Sequence, residues 1–561
     1  MRQVLSRLKL GCDLTHYCRV TPRWNRGKTR QNIGILAFLL LGTSISAGTS
    51  EEIYFRFVIK ERKEISQVTR LVSIEDVHQD SIYALGTKAQ VERLQALGYK
   101  VELLTHPTIL AEPPKMSSNT SDIQAWDTYP TYSAYVQMMS DFETNYSGIC
   151  RTFSAGNSVQ GREILFVKIS DNVDVEEAEP EVMYTSTMHG DETTGYILML
   201  RLIDSILTTY GADAEITDMV NGMEIWINPL ANPDGTYRTG DNSVSGAIRF
   251  NANLKDLNRN FPDPQNGDHP DGSAWQPETI AMMNIASQHS WVISANFHGG
   301  AEVVNYPWDT WVTRHADDAW FIDACRQYAE SCQAHAPGGY MNYLNDGITN
   351  GFDWYEVNGG RQDYMNYWRG CREITIELSN VKLLSAALLP AHWNYNRISL
   401  FDWLRLPNYG IRGVVTDSAT GVPLLATVAV VGHDTDSSEV YTDPDVGDYY
   451  RMIEPATYTL RFTANGFLAK EVAGITVLEN SSVVVDVQLN EGWICGDIDG
   501  NGQFQAILEL TYLIDRIFRG GPLLPNLQAA DVNGSGGAIN ILDLTYMVDF
   551  IFRGGPAPDC L

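Results

Sequence analysis

The chain has 561 residues, 19% of them charged, and a formal net charge of −29. That length predicts about three or four domains. The acidity excludes nucleic acid and anionic membrane surfaces as partners, because binding to phosphates needs clustered Lys and Arg. Residues 1–47 run against this balance, with eight Lys or Arg against one Asp. Their apolar stretch, 33–47, follows a basic lead of unusual length and ends in small residues at Ala47. This is the pattern of a secretory signal, too short to span a bilayer. No later apolar run is long enough for a transmembrane anchor, so a secreted protein, extracellular or periplasmic, is expected. Beyond the signal, Cys150, Cys325, Cys332, Cys371, Cys495 and Cys560 remain. Cys495 and Cys560 bracket one small region and are the expected disulfide; for the other four, bridges and buried thiols both stay open.

Residues 48–105 alternate strand-like runs (54–60, 81–85, 100–104) with a helical pattern at 88–97, which suits a small α+β unit, either a propeptide or a permanent accessory domain. Residues 106–125 carry Pro107, Pro113 and Pro114 and a Ser/Asn/Thr cluster, and read as an exposed linker and processing region with Lys115 as its one basic residue. From 126 to 407, helical patterns alternate with apolar strands, as in an α/β sandwich around a mixed sheet.

Within that region His189-Gly-Asp-Glu192 follows a strand-like run at 181–185, and His298 lies 109 residues after His189. Two His and one carboxylate are the ligand set of a hydrolytic zinc site, with a fourth position left for water. A His-x-x-Glu pair alone is weak, since the chain has eleven His. It gains weight from Arg249, from Asp256-Leu-Asn258-Arg259-Asn-Phe-Pro-Asp263, and from Tyr355 followed 22 residues later by Glu377. Together these motifs, in this order, resemble the zinc metallocarboxypeptidases of the funnelin type, and more closely their carboxypeptidase N/E subfamily. The resemblance implies an eight-stranded mixed sheet with helices on both faces and the metal at its carboxyl edge. It implies that His189, Glu192 and His298 hold Zn²⁺, that Asp256 orients His189, and that Glu377 is the general base. Arg249 would stabilise the oxyanion, and Asn258 and Arg259 would clamp the substrate's terminal carboxylate. Tyr355 would close as a lid, and Tyr306 would join the substrate site. Asp309, eleven residues after His298, and Gln362, seven after Tyr355, fall where the subfamily selects C-terminal Lys or Arg. Arg361 beside Gln362, and Glu302, leave the charge of that pocket open.

Residues 408–490 show short alternating β runs separated by Gly, Asp and Pro, an all-β sandwich. Gly410-Ile-Arg-Gly-Val-Val415 and Gly447-Asp-Tyr-Tyr-Arg451 resemble the transthyretin-like domain of the same subfamily. Residues 491–561 repeat with a period of 34: Asp497, Asp499, Asn501 and Gly502 match Asp531, Asn533, Ser535 and Gly536. Oxygen-bearing residues at alternate positions with Gly at the sixth describe a calcium loop followed by a helix. The pair resembles dockerins, which implies Ca²⁺ and a scaffold or cell-surface partner. Its closing carboxylates, Glu509 and Asp543, stand at the thirteenth position rather than the twelfth. The reading is therefore a secreted zinc carboxypeptidase acting on peptide or protein C-termini ending in Lys or Arg. Cell-wall peptides as substrate, and an inactive binding or surface-assembly protein, are the alternatives.

Overall fold

The computed structural model describes residues 51–560 apart from Ala111, Trp493, Gly502, Pro525 and Gly537. The expected signal, at 1–47, lies outside the described residues, as does Gly502 of the first loop. Strands β1 (Ile53–Val58), β2 (Ser73–His78) and β3 (Ser81–Gly86), helix α1 (Lys88–Ala96) and the short β4 (Glu102–Leu103) form a small α+β unit with sheet order β2-β3-β1-β4. It has its own core, in which Phe55, Phe57, Ile74, Ile82 and Leu94 are buried.

The stretch that follows is less open than its Pro and Ser content suggests. His106 and Ile123 are buried, and Met116–Ser117 pairs in parallel with Tyr129–Pro130. His106 is drawn inward because its Nε2 lies 3.2 Å from Glu52 Oε1. Glu112, Pro113 and Lys115 stay exposed.

Eight strands then build the main sheet: β5 (Cys150–Asn157), β6 (Glu163–Ile169), β7 (Glu181–Ser186), β8 (Glu224–Asn228), β9 (Ile293–His298), β10 (Glu302–Tyr306), β11 (Ile348–Asn350) and β12 (Arg372–Leu378). Their order is β11-β10-β12-β9-β7-β8-β6-β5, parallel through β12-β9-β7-β8 and antiparallel at β8-β6, β6-β5 and β10-β12. Every residue of β7, β8 and β9 is buried, as a sheet covered on both faces requires. Alternation along β7 divides the two cores. Val182 and Tyr184 face helices α2 (Tyr132–Asn145), α3 (Thr194–Thr209), α5 (Asp318–His335) and α7 (Leu389–Leu404), while Met183 faces α4 (Pro277–Ala286) and α6 (Arg361–Arg369). The chain is an α/β protein with a mixed eight-stranded sheet, as expected.

After residue 409 two four-stranded sheets enclose a separate apolar core containing Val415, Val428, Tyr449, Leu460 and Phe462. Buried Asp317, at the start of α5, ties this sandwich to the larger sheet by accepting from Arg372 (2.7 Å), from Arg451 (2.8 and 2.9 Å) and from His433 (2.9 Å). Farther on, α8 (Ala506–Phe518) and α9 (Ile541–Arg553) pack through Leu510, Leu513, Leu544 and Met547, and Cys495 and Cys560 form the expected disulfide. Cys150, Cys325, Cys332 and Cys371 are buried free thiols.

Candidate active site

The site forms where the parallel strands β7, β9 and β12 end, the edge at which open α/β sheets place their ligands. His189 and Glu192 lie in the turn between β7 and α3. That turn packs so closely that a Cβ at Gly190 would stand 2.3 Å from the carbonyl carbon of Gly235. His298 is the last residue of β9, and the register places it opposite Glu377 on β12.

The Nδ1 atoms of His189 and His298 are 3.0 Å apart; Glu192 Oε1 is 3.0 Å from the first and Oε2 is 2.9 Å from the second. All three residues are buried. Burial pushes the His298 imidazole down to about 4, so that it is neutral at pH 7. Two imidazole nitrogens and a carboxylate facing one point, with lone pairs that repel unless a cation lies between them, are a donor set that fits zinc. Among the described residues His189, Glu192 and His298 form one of several clusters with ligand atoms this close. Glu52, His106 and Asp191 form another, but His106 Nδ1 accepts the Thr108 backbone N–H. Its Nδ1 also lies 2.7 Å from Thr108 Oγ1, while Nε2 faces Glu52 at ion-pair distance, so both ring nitrogens are engaged by the protein.

Behind the triad Asp256 accepts from two sides. Its Oδ1 is 3.1 Å from His189 Nε2, and its Oδ2 accepts from Arg249 Nε at 3.0 Å. Burial alone would raise this carboxyl, but the guanidinium groups of Arg249 and Arg259 and the His189 ring hold it well below its ordinary range. The side-chain amide of Asn296 lies 2.7 Å from His298 Nε2. With its oxygen turned to the ring, it would accept a hydrogen bond from Nε2–H and so leave the Nδ1 lone pair for a metal.

Glu377 Oε2 is buried without a hydrogen-bond partner. Burial, then the charge of Glu192, raises the Glu377 carboxyl well above its usual range. Arg249, Asn258, Tyr355 and Asp309 line the same cleft. Gln362 Nε2 and Asn305 Nδ2 both donate to Asp309 Oδ1, at 2.9 and 3.1 Å. A Cβ at Gly351 would meet that oxygen at 1.7 Å, so the carboxylate position depends on glycine. Burial pushes Asp309 up to about 7. Arg361 does not reach Asp309: it makes a two-pronged pair with buried Glu373, both contacts at 2.9 Å. Glu302 accepts from the Asn380 amide.

Arg259 lies beside the cleft, on a cavity of about 210 Å³ shared with the N-terminal unit. Its NH1 donates to Asn258 O, while its buried Nε and NH2 have no hydrogen-bond acceptor. Tyr306 is packed into the large core rather than against the cleft. Two residues of the cleft that sequence motifs do not reveal are Lys382 and Glu75. Lys382 Nζ is 3.0 Å from Glu192 Oε1, and it also pairs with Glu75. Its spacing five residues after Glu377 is a weak signal; Glu75 comes from a different unit and carries none.

Residues 135–399 match the model of the family described as zinc carboxypeptidase, and 410–490 match the carboxypeptidase regulatory-like domain. Carboxypeptidase M of Mus musculus is 36% identical over 338 residues, which cover 57% of this chain and 75% of that protein. The catalytic chain of human carboxypeptidase N is 33% identical over 399 residues, 64% of this chain and 85% of that one. The chain belongs to the zinc carboxypeptidase family. Against carboxypeptidase D of Mus musculus it is 36% identical over 409 residues, 69% of this chain, and it spans only 29% of that relative's length. The zinc carboxypeptidase match begins after the N-terminal unit, and both matches end before the C-terminal repeats.

If His189 holds zinc, Asp256, which contacts the ring at Nε2, would act by orienting it, and Asp256→Ala should weaken zinc binding by about 10–100-fold. Competition against a chromophoric chelator measures this directly, and an unchanged affinity would show that the His189 ring is held by other means.

Proposed function

We propose that this chain is a secreted metallocarboxypeptidase that removes C-terminal residues, with preference for Lys or Arg, from peptides or proteins. The observation that carries the reading is the convergence of His189, Glu192 and His298 beside a buried, unpartnered carboxylate oxygen of Glu377. Bound there, zinc would supply Lewis-acid polarisation of the scissile carbonyl and acidification of a water. Glu377 takes a proton from the attacking water at Oε2 and returns it to the leaving amine, a task suited to a carboxyl of raised pKa. Arg249 faces the negative charge that develops on the carbonyl oxygen. The free donors of Arg259, with the Asn258 side chain, receive the substrate's terminal carboxylate in a charge-assisted pair, which restricts cleavage to the chain end. Tyr355 covers the bound residue. Removal of the base while its shape is kept, in Glu377→Gln, should lower kcat by about 100-fold or more. Zinc content measured on the same protein should be unchanged; near-normal turnover would end this assignment.

Asp309 supports the choice of a basic terminal residue. Its nearest partners are neutral amides, so a bound ammonium or guanidinium gains a charge-assisted hydrogen bond that leucine cannot replace. Asp309→Ala should remove about 2–5 kcal/mol of discrimination between peptides ending in Arg and Leu. With the carboxyl at about 7, ionisation above that value should increase the Arg/Leu ratio of kcat/KM as pH rises through neutrality. Wild type favouring Leu, or a ratio that ignores both substitution and pH, would refute basic specificity.

For residues 491–561 we read a dockerin-like pair that binds calcium and a partner on a scaffold or surface. Asp497, Asp499, Asn501 and Glu509 serve one loop, and Asp531, Asn533, Ser535 and Asp543 the other. Both closing carboxylates face their own loop: Glu509 Oε2 accepts the Ile498 and Asp499 amides, and Asp543 accepts from Asn533 and Asn540. Exposed Ile507, Leu508 and Phe518 recur as exposed Ile541, Leu542 and Phe552, a duplicated apolar face that suits a partner. Calorimetry on the full chain should show calcium binding that disappears in the Asp497→Ala/Asp531→Ala double variant, because each loop loses its first oxygen ligand. Absence of heat in the wild type would leave only Asx-type turns.

A further inference from the structure

The edge of the main sheet opposite His189 and His298 carries a second concentration of charge. β7 and β8 run parallel, and their register sets the first residue of each, Glu181 and Glu224, side by side. Like charges placed directly opposite each other on neighbouring strands repel. Both residues are buried, at 3% and 0% exposure. Glu176, from the turn before β7, brings a third carboxylate, and one oxygen from each of the three lies within 4.8 Å of the others. Asp443 and Asp448, buried at the facing side of the β-sandwich, add to the field: Asp443 acts on Glu176 and Glu181, and Asp448 feels both.

The protein's own counter-charge is small. Lys168 Nζ stands 2.6 Å from Glu224 Oε1 and 3.9 Å from Glu176 Oε2. His289 Nδ1 lies 2.9 Å from Glu181 Oε1, but burial pushes that imidazole down to about 4, so the ring is neutral at pH 7. Glu224 Oε2, in a residue fully withdrawn from solvent, has no hydrogen-bond partner, and neither has Asp448 Oδ2. Burial foremost, and the neighbouring carboxylates with it, pushes Glu176, Glu181 and Asp448 up to about 8. A buried carboxylate is tolerable when it is paired and hydrogen-bonded, and one ammonium cannot do this for the whole group. Beside it a cavity of about 350 Å³ opens between the main sheet and the sandwich, lined by His289 and Ser290, which contact Glu181, and by Thr442 and Pro444, which flank Asp443.

We propose that Glu176, Glu181 and Glu224 form a calcium site at the amino edge of the main sheet, with Asp443 and Asp448 lending charge from the sandwich, so that the ion fastens the two domains together. The donors are all oxygens at irregular spacing, which suits a hard cation that takes six to eight oxygen ligands in a flexible geometry. The cavity supplies its way in. The rival is a group that neutralises itself with protons and takes no metal.

The test uses the full, zinc-loaded chain freed of calcium and carrying Asp497→Ala/Asp531→Ala, so that the C-terminal loops contribute nothing. Calorimetry with calcium chloride should show saturable binding, and adding Glu224→Gln should weaken it about tenfold or more, because affinity follows the number of charged ligands. Glu176→Gln, on a partly exposed turn, should act in the same direction and covers the case in which Glu224→Gln folds poorly. Calcium should also raise Tm of the parent by mass action, and the rise should shrink in either variant. A parent that gives no heat and no change in Tm would overturn the proposal in favour of protons. Binding that both substitutions leave unchanged would overturn it too, by placing the ion elsewhere.

Discussion

One buried carboxylate holds the centre of this molecule in register. Asp256 takes His189 with one oxygen and Arg249 with the other, so that two buried residues of the cleft share a single anchor. A charged group removed from water is tolerable only when paired and hydrogen-bonded. The pairing therefore dictates what can surround it: Arg249 must find further carboxylates, and finds Glu192 and Glu75; Lys382 is drawn to the same two. The cleft is an alternating lattice of buried charges, and its composition follows from that anchor.

The same logic joins the parts of the chain. Asp317 is surrounded by Arg372 from the main sheet and by Arg451 and His433 from the β-sandwich, which makes the sandwich an extension of the sheet's electrostatic network. Burial would raise the Asp317 carboxyl, but Arg451 and Arg372 hold it well below its usual range. The N-terminal unit meets the larger one through the charged Glu52, Glu75, Arg62 and Arg70 and through the Tyr355 ring, which packs on its apolar core.

Much of the catalytic region was legible before any coordinates. The 181–185 run predicted a strand, and the turn that follows it brings His189 and Glu192 to one point because ligands three residues apart converge there. Glu377 and His298 were named by motif, and their adjacency across β9 and β12 is a matter of sheet register. Arg361 was the ambiguous residue, and a partner beyond the reach of spacing, Glu373, takes it away from Asp309. Tyr306 sits one residue before Pro307 in a motif that suggests the cleft, but strand alternation turns it into the core. The 106–125 stretch reads as open from its prolines, while His106 is held inside by Glu52, a residue 54 positions earlier.

By itself the sequence determined the chemistry available: which residues can ligate a metal, which can carry a proton, where the β-rich and repeated segments begin, and which two Cys enclose the last of them. These are properties of local pattern and residue type, and they survive any arrangement of the units. Tertiary structure alone decided which charges meet. Glu75 and Lys382 are separated by more than three hundred residues, and each is unremarked in its own segment. Only packing of the N-terminal sheet over the carboxyl edge of the larger one brings them together, because pairing of buried charges depends on distances of a few ångströms that no spacing along the chain encodes.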